Sequence, residues 1–158
     1  MQFATTEDID VPAAYVFARI IDVSRHERRA MRRGAEVVRR DGRGPVHVGS
    51  AWDVAVVHRG KLRELSMEIV GLQAPTRLAF AGRSRLLLGS AEVRLIALSA
   101  TTTRVKVVSK IKADTLQGRL LLQSLKIARS SLNRRFQAVI AQQLRQLVTN
   151  YQRHALSF

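Results

Sequence analysis

Apolar positions change period twice along this chain. In "DVPAAYVFARIIDV", Val16, Ile20 and Val23 recur at helical spacing with Phe17 and Ile21 beside them. Asp10 stands where an N-cap is wanted, and Pro12 lies near the first turn, where a missing N–H costs nothing. This predicts a short amphipathic helix. "SRHERRAMRR" predicts a second one, with Ser24 as N-cap, Glu27 three residues on at capping-box spacing, and Gly34 as the stop. Ahead of both, the β-branched content of "FATTEDIDV" predicts a strand over residues 3–9.

From there to Asp114 the period becomes two. "AEVVRRD" reads as a strand, and "GRGP" as a turn. "SAWDVAVVHR" and "KLRELSMEIVGL" flank Arg59-Gly60, the mark of a hairpin. "APTRLAFAGRS" gives a strand after Pro75, and "GSAEVRLIALS" and "TRVKVVSKIKA" flank "ATTT" as another hairpin. In the last of these, Val105, Val107, Ser109 and Ile111 share one face, while Lys106, Lys110 and Lys112 share the other with Val108. One apolar and one wet face is the pattern of an antiparallel sheet.

The final third predicts one long helix over residues 116–151. It lacks proline, and its glycine, Gly118, lies at its start. Leu121, Leu125, Ala128, Leu132, Phe136, Val139, Gln143 and Leu147 step by three or four and form its apolar stripe. A helix of about 30 residues is about 45 Å long and needs a broad sheet to cover that stripe.

Composition narrows the chemistry. The 158 residues suit one domain, 1–158, with a real core. No apolar run reaches bilayer length, and "MQFATTEDIDV" carries acids where a secretory leader has an apolar stretch, so a cytoplasmic location is expected. The absence of cysteine excludes disulfides, thiolate nucleophiles and zinc–thiolate sites. Twenty-seven Lys and Arg against twelve Asp and Glu leave a net charge of +15, which favours anionic partners; only five of the 27 are lysine, as a GC-rich genome alone would also give. The charge is densest in "SRHERRAMRRG", where Arg25, Arg28, Arg29, Arg32 and Arg33 cover a broad helix face. These five are expected to dock anions. An anionic membrane surface asks only for such charge, whereas nucleic acid asks also for stacking aromatics, and none interleave here.

The order strand, two short helices, paired strands and a long terminal helix resembles the START and birch-allergen-like superfamily, which includes polyketide cyclases. The middle segment "VGSAWDVAVVHRGKLRELSMEIVGLQAPTRLAF" carries the likeness best, with Gly49 and Trp52 in a Gly-x-x-Trp strand, an Arg-Gly turn and "PTRLAF". The resemblance implies an α+β helix-grip fold: a curved antiparallel sheet of about six to seven strands around a long C-terminal helix. It also implies a cavity between the two that holds an apolar ligand. The chain departs from the family at "RRAMRRGAEVV", with arginine where rings often stand.

Fold does not fix function, so the site must be argued from residues. Strand alternation puts Trp52, Val54 and Val56 on one face, with Arg63, Leu65 and Met67 on the next strand. Phe80, Val93, Val107 and Ser109 follow on later strands, and Leu132 and Phe136 oppose them from the helix. These twelve are the candidate lining for a hydrophobic small molecule; the same stripes also suit a filled core. Arg63 would need a ligand carboxylate if buried, or water and a Glu if not. Trp52 must find a partner for its indole N–H. No metal or cofactor motif occurs: His26, His47, His58 and His154 are scattered, and "GRGPVHVG" lacks the dinucleotide pattern. Cyclase-like acid–base chemistry would need Asp53, Glu68 or Glu92 beside Arg63 or His58 inside the cavity. Carriage of an apolar or amphipathic molecule, such catalysis, and a basic interaction module with a filled interior are the three functions the sequence allows.

Overall fold

A computed structural model describes residues 1–156. Its elements are β1 (Gln2–Ile9), α1 (Ala13–Ile20), α2 (Val23–Arg32), β2 (Glu36–Arg39), β3 (Ala51–His58), β4 (Lys61–Gln73), β5 (Arg77–Ser84), β6 (Leu88–Ala97), β7 (Thr103–Lys112), α3 (Leu116–Ile127) and α4 (Arg129–Leu156). The strands form one seven-stranded antiparallel sheet in the order β1-β7-β6-β5-β4-β3-β2. Arg59 and Gly60 both hold positive φ, 53° and 75°, which is the backbone of a two-residue hairpin whose twist matches its strands. An extra residue between Ile69 and Gly71 breaks the β4–β5 register, and such bulges bend a sheet.

The concave face is closed at one end only. Ile9, Val11, Val16, Phe17, Ile69, Leu78, Leu95 and Val105 are buried there, around the last parts of β1, β4 and β6 and the starts of β5 and β7. Leu144 of α4 caps them, with Phe136, Ile140, Leu147, Val148 and Tyr151 packed alongside. Thr103, fully buried, satisfies its hydroxyl by donating to the Val11 carbonyl at 2.7 Å.

Three expectations from the sequence need correcting. The terminal helix is two helices, parted at Ala128, whose N–H donates to the Leu125 and Lys126 carbonyls at φ −93°, ψ 15°. The following Ser130 and Ser131 are poor helix formers that favour such a break. The apolar stripe therefore changes course: Val139 is 50% exposed, and Ile140 and Leu144 turn inward instead. The second helix is capped by Asp22, which accepts from the Arg25 N–H at 3.3 Å, not by Ser24. Asp10 does not cap α1 either: the N-cap position is Pro12, and Asp10 accepts from the Thr102 hydroxyl.

α3 packs far less than α4. Thr115 caps it by accepting from the Gly118 N–H at 3.0 Å. Gly118 passes so close to the β5–β6 turn that a Cβ there would collide with the Leu86 carbonyl oxygen. Beyond that touch, Leu116, Leu120 and Ile127 face solvent, Ile127 at 91% exposure.

Candidate functional site

Freed from the capping box, Glu27 reaches the sheet. Its Oε1 accepts from the Trp52 indole N–H at 2.9 Å, across 25 residues of sequence. This is the partner a buried tryptophan requires, and Trp52 is 6% exposed. The far side of the indole meets Arg39, whose guanidinium carbon lies 5.7 Å from the ring centroid. Arg39 in turn donates two hydrogen bonds to Asp41, both at 3.0 Å, and others to the Gly44 and Pro45 carbonyls. Asp41 also accepts from Ser50 and the Ala51 N–H. The Arg39 hydrogen bonds, aided by those from Ala51 and Ser50, hold the Asp41 carboxyl far below its ordinary range. The glycine-rich "GRGP" loop is thus the knot that fixes Arg39 against Trp52.

Between α2 and the sheet lies a cavity of about 330 Å³. Val23 and Ala30 from α2 face Val37, Trp52, Val54, Met67 and Phe80 from the sheet. Its polar members are Glu27 and His26, and the His26 Nε2 is 3.0 Å from the Ile20 carbonyl. Met67 and Phe80 also border a second hollow of about 260 Å³, which continues toward Leu87, Leu88, Ser109 and Ile111 at the hairpin end of the sheet. Small residues make that trough. Gly82 pairs with Gly89, and Ala91 lies between Phe80 and Ser109, so inward positions that could be filled stay short. No residue of α3 lines it. The signal was present in the sequence as "FAGRS" followed by "GSAEV".

The twelve predicted lining residues divide into three groups. Trp52, Val54, Met67 and Phe80 line the first cavity, and Leu65, Met67, Phe80 and Ser109 the trough, with Leu65 39% exposed at its edge. Val93, Val107 and Phe136 belong to the packed core, Phe136 against Phe3 with ring centroids 5.9 Å apart. Val56 and Arg63 face each other near the β3–β4 turn, Val56 half-buried and Arg63 in solvent, and Leu132 is half-buried on α4. Sequence reasoning missed Val23, His26, Glu27, Ala30 and Val37, because nothing local says that α2 lies over Trp52.

The basic helix divides as well. Arg25 and Arg29 are half-buried toward α4, where Arg29 donates to Gln143, the polar residue that interrupts the terminal stripe. Arg32 borders the hollow between α1, α2 and α4 that Arg25 and Arg29 also line, whereas Arg28 and Arg33 are exposed outside it.

The carboxylates suggested for acid–base work lie elsewhere. Asp53 is exposed and 3.4 Å from Arg40, and Glu68 is exposed. Glu92 bonds Arg94 and Arg77, which hold its carboxyl below the ordinary range. Among the described residues no three His, Asp or Glu gather as metal ligands, and no helix is long and apolar enough to cross a membrane.

No family model matches the chain, and no curated protein does. Solved structures do. The Zhui aromatase/cyclase from a Streptomyces species is 14% identical, with a TM-score of 0.63 over 98% of this chain and 95% of its own. TTHA0849 from Thermus thermophilus is 15% identical, with a TM-score of 0.65 over 96% and 99%. Ara h 8.0201 is 18% identical, with a TM-score of 0.53 over 85% and 93%. With its seven-stranded sheet, paired short helices and long terminal helical segment, the chain has the helix-grip fold of these solved structures.

Proposed function

We propose that the protein binds and carries an apolar or amphipathic small molecule of lipid or polyketide type. The observation that carries this reading is the run of apolar lining from Trp52 through Met67 and Phe80 to Ile111, shared by two adjoining hollows. The first hollow, about 330 Å³, is within the roughly 300–1,000 Å³ of small-molecule sites. The ligand's flat or branched body lies against Trp52 and Phe80, and its far end extends along the glycine-floored trough. Exposed Arg28 and Arg33 give the carrier a face that docks on anions such as an acidic membrane surface, at about 1 kcal/mol each. A cyclase or dehydratase-like reaction in the same cavity is the second reading, favoured by His26 and Glu27, the titratable groups in its lining.

Displacement of a fluorescent fatty-acid probe tests the carrier. Gly89 has negative φ, and a Cβ built there has only the Lys110 carbonyl oxygen near it, at 3.7 Å, so Gly89→Leu is tolerated and fills the trough. Binding is expected to weaken about tenfold or more, because the leucine occupies the space the ligand needs. Unchanged affinity in a folded Gly89→Leu protein would contradict the proposal.

A further inference from the structure

We infer that the opposite side of α2 forms a separate binding site for a multiply charged oxyanion of the phosphate class. A hollow of about 160 Å³ lies between α1, α2 and α4, and four arginines, Arg19, Arg25, Arg29 and Arg32, line it. No carboxylate is among its lining residues, and none of the four forms an ion pair among the described residues. Elsewhere this chain does pair its arginines: Arg39 with Asp41, Arg77 with Glu92 and Arg104 with Asp8. Here neutral amides take the place of acids. Gln143 accepts from Arg29. The Asn150 amide, oriented to satisfy both its polar atoms, accepts from Arg19 Nη2 and Arg25 Nη2 at 3.0 Å each. An amide oxygen orients a guanidinium without cancelling its charge, so the hollow keeps its positive potential.

A second observation points the same way. Arg19 Nε is buried and has no hydrogen-bond partner. Its guanidinium lies over the Tyr15 ring, 5.7 Å from the centroid, and Tyr15 is itself held edge-on by Tyr151 at 4.9 Å. Arg19 is thereby constrained while one donor goes unused, which is costly unless an acceptor arrives. Planar guanidinium forks converging from two helices match the several oxygens of a phosphoryl group. The group comes either free, as a phosphate or diphosphate, or on a lipid headgroup. Ile20 and His26 border both this hollow and the apolar cavity, so α2 is a wall with a greasy side and a cationic side.

Calorimetric titration with inorganic pyrophosphate tests the site. Wild type is expected to bind saturably at one site. Arg25→Gln with Arg29→Gln should weaken binding about tenfold or more, as loss of hydrogen bonds to a charged group implies. Arg28→Gln with Arg33→Gln, which removes the same charge outside the hollow, should change it less than about twofold. Asn150→Asp places a carboxylate between Arg19 and Arg25; it should abolish binding and raise the thermal midpoint, a result no misfolded variant gives. Gly89→Leu should leave pyrophosphate affinity intact, which separates this site from the apolar one. Displacement of the protein from phosphatidic acid vesicles by saturating pyrophosphate identifies a lipid headgroup as the source; vesicles that do not bind, or are not displaced, identify a free phosphate. No saturable pyrophosphate binding, or equal loss in both double variants, overturns the inference.

Discussion

The two ends of the sheet's inner face obey one alternating pattern and come to different ends. Around Ile9, Leu78, Leu95 and Val105 the inward side chains are large, and α4 seals them with Leu144. Around Met67, Phe80 and Ser109 the inward set includes Gly82, Gly89 and Ala91, and no helix residue seals the trough. The helical break at Ala128 separates the two regimes, leaving α4 to close one end while α3 leaves the other open. A strand's period shows which side chains point inward; what meets them there is decided by side-chain size and by the path of a distant helix.

The sharpest way to break this comparison is mutational. Leu144→Ala removes the residue that closes the packed end and should cost about 2–5 kcal/mol in urea unfolding. Met67→Ala, beside space already empty, should cost only about 1 kcal/mol, because fewer contacts are lost. Equal costs would mean that the two ends are packed alike.

A smaller effect concerns the knot behind Trp52. The Asp41 carboxyl ionises more readily in the folded protein than at its ordinary value of 3.8. Its contribution to stability is therefore complete above about pH 5 and is lost as pH falls through 3.8 toward the folded value. Asp41→Asn should lower the thermal midpoint by several degrees at pH 7 and flatten the decline of stability between about pH 5 and pH 3. Some decline persists, since Asp8 beside Arg104 and Glu92 beside Arg94 are lowered in the same direction. A variant with the wild-type slope would show that the Arg39–Asp41 pair does not hold the loop.

Much of this was legible in the residues. Alternation gave the strands, the Arg-Gly turn gave the β3–β4 hairpin, and the order of elements gave the helix-grip fold. Trp52, Met67 and Phe80 could be placed on the inner face because strand geometry is local. The role of Glu27 could not: its spacing from Ser24 suits a capping box, and a contact with Trp52 across the fold outcompetes it. The arginine helix likewise reads as one cationic face, and only the packing of α4 shows that Arg25 and Arg29 turn toward Gln143 and Asn150 while Arg28 and Arg33 do not. The small residues of the trough were visible as letters, but their consequence depends on a helix that fails to cover them.

The measurement that tests the central claim most directly is methyl and indole NMR of the protein titrated with a medium-chain fatty acid. The open end should respond, with shifts at the Trp52 indole, the Met67 methyl and Ile111, and silence at Leu95, Val105 and Leu144. Shifts confined to the exposed α3 residues Leu120 and Ile127, or no saturable shift at all, would contradict it.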